Sequence, residues 1–223
     1  MNLLDALRAI RQRPQTPIRM VFTGSIGLHH VLKDLQEAGS TNSPVNDMEP
    51  MSLAPLSEAL AVGLGEQLLF SANLKHSSDV PKALAVASDG LPFFIHRICA
   101  EFQERDTGTL TADDVIQARK QLITDPADPM KLRWYEERIE TYYESRISLA
   151  FALLDALATA DSPLPFPELM NLARHAQPTT PDSEVRTTLR HLIQDHYLVE
   201  ESGRFRFQFS IIRDGWRCLR WLG

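Results

Sequence analysis

Apolar residues recur at helical spacing along most of the chain, and one stretch departs from that rhythm toward a buried strand. Leu3, Leu4, Leu7 and Ile10 precede Pro14 with a helical period, which predicts a short amphipathic helix over residues 2–12. Ile18, Met20, Val21 and Phe22 then place four apolar residues among five and run into Thr23-Gly24-Ser25. That is the pattern of a strand buried on both faces and closed by a glycine turn. Val31, Leu32 and Leu35 predict another short helix, ended by the polar Gly-, Ser- and Pro-containing run from Ala38 to Pro50. Leu56, Leu60, Leu64 and Leu68 step by four along a helix from Pro55 to Phe70, with Gly63 and Gly65 lowering its intrinsic stability.

From Asp79 the pattern is helix, glycine stop, helix. Asp79 is expected to cap the first helix, and Gly90 suits the left-handed position after its last turn. Pro92 then falls in the first turn of the next helix, where its missing N–H costs little, and Phe94, Ile98 and Phe102 form that helix's apolar stripe. Thr111 and Asp114 predict a capping box, followed by Val115, Ala118 and Leu122 on a third helix. Residues 51–124 therefore read as a small helical domain after an N-terminal segment, 1–50.

Asp125-Pro126-Ala127-Asp128-Pro129 has the composition of a rigid hinge, so residues 125–145 read as hinge and linker helix. The charged stretch Glu136–Arg146 gives way to Ile147, Phe151, Leu154 and Leu157, where a new core starts and a break near Ser145 is expected. Pro163–Pro167 and Pro178–Pro181 bracket a short helix with Leu169 and Leu172. Val185, Leu189, Leu192 and Ile193 lie on the next helix, capped by Asp182 or Ser183. Tyr197–Glu200, a turn at Glu201–Gly203 and Arg204–Phe209 read as a β-hairpin, and Ile211–Leu222 closes as an amphipathic helix. Three helices followed by a hairpin is the order of a winged helix, over residues 146–223. The fold class is mainly α.

At 223 residues with a formal net charge of -6, the chain is long enough for a sizeable core and does not have the overall charge of an indiscriminate nucleic-acid binder. Two widely separated cysteines, Cys99 and Cys218, exclude a disulfide framework and are expected to be reduced thiols. No run approaches the roughly 18 apolar residues of a membrane span and no signal-peptide core is present, so the expected location is cytoplasmic. Adjacent His29 and His30 cannot share one helix face, and no metal site or catalytic constellation emerges from spacing.

A buried strand ending in glycine invites a search for a phosphate-cradling loop. The chain contains no G-x-x-x-x-G-K-[ST], and no apolar run ends in an acidic pair for magnesium. On its own it is expected not to hydrolyse ATP. The order of IRMVFTGSIGL, a loop with Asn46-Asp47, GLPFFIHRI, DP, YEERIETYY and a winged helix nevertheless resembles the C-terminal half of a P-loop ATPase of the AAA+/STAND superfamily, closest to archaeal-ATPase-like members. The resemblance implies a remnant of an α/β nucleotide-binding domain carrying the sensor-1 strand, a helical lid and a winged helix. It also implies that the Walker A and Walker B segments would lie before Met1.

By that resemblance Thr23 and Ser25 are sensor residues near the γ-phosphate, Gly90 and Pro92 belong to a GLPL-like motif whose proline lies against the base, and Arg97 is a sensor-2-like arginine. Each has a purely structural alternative: a turn ending a strand, a helix stop and start, a solvated surface cation. Arg186 and Arg190 on the third helix of the winged helix, with Arg204 and Arg206 on its wing, could follow a DNA backbone. Acidic Asp182, Glu184, Asp195, Glu200 and Glu201 flank them. The leading expectation is a regulatory or interaction module of a nucleotide switch that binds ATP or ADP only with a complementary N-terminal half; the expected partners are that ATPase half or another protein, with a homo-oligomer also open. The alternative is a DNA-binding winged-helix transcriptional regulator. Exposed Met20, Val21 and Phe22 on an unpaired edge would make the isolated chain aggregate or seek that complementary half.

Overall fold

A computed structural model describes residues 3–13, 17–22, 28–37, 39, 44–49, 51–103 and 108–222. They divide into two compact units, Met1–Leu53 and Ala54–Gly223.

In the first unit, α1 (Leu3–Arg11) and α2 (Leu28–Glu37) form where the apolar spacing placed them. The strand expected at Ile18–Phe22 does not form: residues 17–22 are neither helix nor strand, with Ile18 43% and Val21 86% exposed. A strand exists only as part of a ladder, and no partner strand lies among the described residues of this unit. Met20 and Phe22 are half-buried, so of the three residues expected to be exposed only Val21 is open to solvent. Thr23 and Ser25 lie outside the described residues.

Arg11 ties α1 to the turn at residues 44–48. Its Nε donates to Asp47 Oδ2 at 3.0 Å, and its Nη2 donates to Asp47 and to the Pro44 carbonyl. Those hydrogen bonds hold the Asp47 carboxyl down at about 2. The contact therefore contributes fully above the ordinary carboxylate range and is lost as pH falls from about 4 toward 2. An NMR titration of the Asp47 carboxyl should give a midpoint near 2 in the native chain and a return to about 4 in Arg11→Ala.

The second unit opens with α3 (Glu58–Ser71), α4 (Val80–Ala87), α5 (Pro92–Gln103) and α6 (Ala112–Thr124). Ser57 accepts the Leu60 amide at the start of α3, and the Thr111–Asp114 capping box starts α6 as expected. Asp79 does not cap α4; its carboxylate accepts the Ser77 hydroxyl instead, and Pro81 in the first turn reduces the need for a cap. Phe94, Ile95, Ile98, Cys99 and Phe102 bury the inner face of α5 against this helical group. Burial pushes the Cys99 thiol up to about 12, so it packs as an apolar side chain.

The Asp125–Pro129 segment is pinned at several points. Asp128 takes a left-handed backbone (φ 51°), and its carboxylate accepts the Leu132 and Arg133 amides at 2.8 and 3.1 Å, satisfying donors at the start of α7 (Arg133–Tyr142). The break near Ser145 is a single 3-10 turn, Glu144–Arg146, entered through Glu144 at φ 46°. Then follow α8 (Ile147–Thr159), β1 (Leu164–Pro165), α9 (Phe166–Ala176), α10 (Asp182–Gln194), β2 (Leu198–Glu201), β3 (Arg204–Phe207) and α11 (Ser210–Leu219). The sheet is antiparallel in the order β1-β3-β2, with Glu200 opposite Phe205. In this last stretch helices surround a small three-stranded sheet, and the described chain is mainly helical.

Its core is α8, apolar on nearly every face, with α11 laid across it. Trp216 of α11 is 1% exposed and stands among Phe151, Tyr197 and Phe207, at ring separations of 5.6, 6.5 and 6.5 Å. Its indole N–H donates to Asp155 Oδ1 at 2.8 Å, and Arg220 donates to the same carboxylate at 2.9 and 3.2 Å. Gly215 is set by close approach rather than by its dihedral: a Cβ there would stand 2.6 Å from the Leu132 side chain, which would have to shift to admit it. The linker thus docks on the last helix through Leu132. Buried Tyr143 donates to Asp195 at 2.7 Å, and burial beside that carboxylate raises the phenol well above its ordinary range.

Candidate functional site

The sequence points to the turn between α4 and α5, and the reason it bends there is local. Helix α4 stops at Ala87, Ser88 returns its hydroxyl to the Leu84 carbonyl at 2.7 Å, and Asp89 and Gly90 follow with φ of 51° and 69°. Two successive left-handed residues reverse the chain, and Pro92 opens α5. Gly90 carries a second constraint. The segment before α3 lies directly on it, with the Leu56 amide donating to the Gly90 carbonyl at 3.0 Å. A Cβ at Gly90 would stand 2.7 Å from the Leu56 carbonyl oxygen. Only glycine meets both the dihedral and the contact.

Around this turn lies an open cleft of about 230 Å³, lined by Leu56, Glu58, Ala61, Ala85, Val86, Asp89 and Gly90. Complete small-molecule sites usually enclose about 300–1,000 Å³, so this open cleft is smaller than a complete site. Its lining is mostly apolar, with Glu58 and Asp89 the acidic residues among it. Glu58 also faces Lys82 at 3.2 Å, an exposed pair of little energetic weight. Among the described residues no group of three His, Cys, Asp or Glu side chains is arranged to hold a metal ion.

The predicted site residues are distributed unevenly about this cleft. Gly90 forms part of it. Pro92 is exposed at the start of α5 and is not among the lining residues. Arg97 is half-buried on α5; its Nε donates to the Pro129 carbonyl at 2.6 Å and its guanidinium sits over the Phe93 ring at 5.9 Å. Its position is explained by the linker it holds. Sequence reasoning missed Leu56, Glu58 and Asp89. The Asp-Gly pair at a helix end was a usable signal for Asp89, whereas nothing in a linear pattern shows that Leu56 folds back onto Gly90.

The four arginines assigned to nucleic acid are all exposed. Arg186 stacks on Phe166 at 3.9 Å, Arg204 donates to the Pro163 carbonyl at 3.0 Å, and Arg206 pairs with Glu201 at 2.7 Å. Arg190 lies one turn beyond Arg186 on α10. Arg174, on α9, pairs with Asp182 at 2.8 Å, at the start of α10. Three of the four thus have a partner within the chain.

These features define a mainly helical unit whose glycine turn lines an open cleft. Among solved structures the chain is similar to a Walker-type ATPase of Pyrococcus abyssi, with a TM-score of 0.55 and 13% sequence identity, over 84% of this chain and 50% of that one. The chain spans about half the length of that structure. At this identity the likeness shows a shared fold with part of that structure and nothing about activity or substrates. No protein-family model and no curated protein matches the sequence. Among the described residues no helix is long and apolar enough to cross a membrane.

Proposed function

We propose that the chain is the lid and winged-helix portion of an AAA+/STAND-type nucleotide switch, acting as a regulatory or interaction module that contributes one wall of a nucleotide site. The observation that carries this reading is the Gly90 turn: it combines a glycine fixed by both φ and close contact with an apolar cleft too shallow to enclose a ligand alone. The ATPase-like fold supports the same reading. The 223 residues hold no phosphate-binding loop, so the phosphates of ATP or ADP would be cradled by a complementary ATPase half, with the base against the Gly90 turn. The exposed apolar segment at Ile18 and Val21 gives such a half a surface to cover.

The test is a titration of labelled ATP and ADP against the purified chain, alone and mixed with a segment bearing Walker A and Walker B motifs. Binding that needs both components is the expected result. Absence of binding in both cases would sink the reading. The DNA-binding alternative draws on exposed Arg186 and Arg190, but the engagement of Arg204 and Arg206 within the chain weakens it.

A further inference from the structure

The Asp89 carboxylate leaves the cleft and reaches the far end of the sequence. It accepts the Ser210 hydroxyl at 3.0 and 3.1 Å and the Ile211 amide at 2.8 Å, so it caps α11 from 121 and 122 residues away. No residue adjacent to α11 in sequence supplies that cap, because Phe209 precedes the helix and offers no side-chain acceptor. Arg119 of α6 reinforces the junction. It donates to the Ala87 carbonyl at 2.9 Å, to Ser210 Oγ at 3.3 Å and to Asp214 Oδ2 at 2.7 Å, joining the end of α4 to the first turns of α11. Asp89 and Arg119 therefore meet on Ser210 from two sides.

The same Asp89 also lines the cleft, and the next residue, Gly90, holds Leu56. We propose that Asp89 is a latch through which the cleft at the α4–α5 turn and the C-terminal helix α11 open and close as one unit. Its function as regulation rests on the reading of that cleft as a nucleotide wall. A ligand seated against Gly90 fixes the turn, the turn fixes the Asp89 carboxylate, and the carboxylate holds α11 down. By linkage, docking of α11 favours the ligand by the same factor. The α11 surface then reports cleft occupancy to whatever partner the module meets.

Amide hydrogen exchange on the full chain tests the latch without any ligand. Asp89→Asn keeps a residue type that tolerates left-handed backbone but removes the charge, and Ser210→Ala removes the hydroxyl hydrogen bond while leaving the Ile211 amide bond to Asp89 in place. Each variant should raise exchange at Ile211, Gly90 and Leu56 together, roughly ten-fold, the loss expected for a hydrogen bond to a charged group. If exchange rises at Ile211 while Gly90 and Leu56 stay unchanged, the latch is overturned, because α11 then opens alone. A second arm adds ADP with the Walker-bearing segment. Slowed exchange at Ile211, lost in Ser210→Ala, is the expected result. Bound ADP with unaltered Ile211 exchange overturns the latch, whereas absence of ADP binding overturns the nucleotide reading and leaves the latch to be judged by the ligand-free arm.

Discussion

Replacing Trp216 with alanine should lower the stability of the 54–223 unit by about 3–5 kcal/mol, the range for a buried aromatic truncation. The side chain is 1% exposed and joins Phe151, Tyr197 and Phe207, so its removal leaves a cavity bounded by α8, α11 and the sheet. It also deprives Asp155 of one donor, although Arg220 still holds that carboxylate. Trp216→Phe separates the two effects: most packing survives and the indole hydrogen bond is lost, at a cost of about 1.5–3 kcal/mol for a bond to a charged group. Urea unfolding reads both through the shift in midpoint at constant slope. Trp134 is 50% and Trp221 93% exposed, so the red shift of fluorescence on unfolding comes chiefly from Trp216.

Gly90→Ala should be the most damaging single-methyl change in the cleft. The left-handed backbone at φ 69° costs an alanine about 1–2 kcal/mol. The new Cβ would also stand 2.7 Å from the Leu56 carbonyl oxygen, a backbone atom that moves only if the 54–57 segment lifts. Lifting it breaks the Leu56–Gly90 hydrogen bond, worth about 1 kcal/mol. A total near 3 kcal/mol is expected, roughly a hundred-fold in the folding equilibrium. The variant should show fast exchange at the Leu56 amide even where the rest of the unit remains folded. An unchanged midpoint and a protected Leu56 amide would show that the turn tolerates a side chain.

Much of the fold was legible because helices write their own periodicity. The Thr111–Asp114 capping box, the break before Ile147, the hairpin around Gly203 and the amphipathic α11 all follow from local chemistry. The strand at Ile18–Phe22 was misread for a physical reason: apolar density reports a preference for burial, and a ladder requires a second strand that the described residues lack. Asp79 was misread because Ser, Asp and Pro in sequence offer several ways to start a helix, and here Asp79 accepts the Ser77 hydroxyl. At the candidate site, Gly90 was legible as a helix stop. Its docking to Leu56, the turn of Asp89 toward Ser210 and the capture of Arg97 by Pro129 were not, since each joins residues 32 to 121 positions apart, or runs backward in the chain, with no periodic trace.

The linker shows the same limit. Two prolines, each following an aspartate, read as a hinge, but Asp128 caps α7 and Leu132 lies on Gly215 of α11, so tertiary contacts hold a segment whose composition alone suggests a joint. Residues 54–223 are accordingly one compact unit, in which the cleft turn and the last helix share hydrogen bonds.

Photocrosslinking with azido-ADP, carried out on the chain together with a Walker-bearing segment, asks most directly whether the Gly90 turn faces a nucleotide base. The expected result is label on the peptides containing Leu56 and Asp89–Pro92, competed by unlabelled ADP. Label confined to the added segment, with none on this chain, would contradict the proposed role.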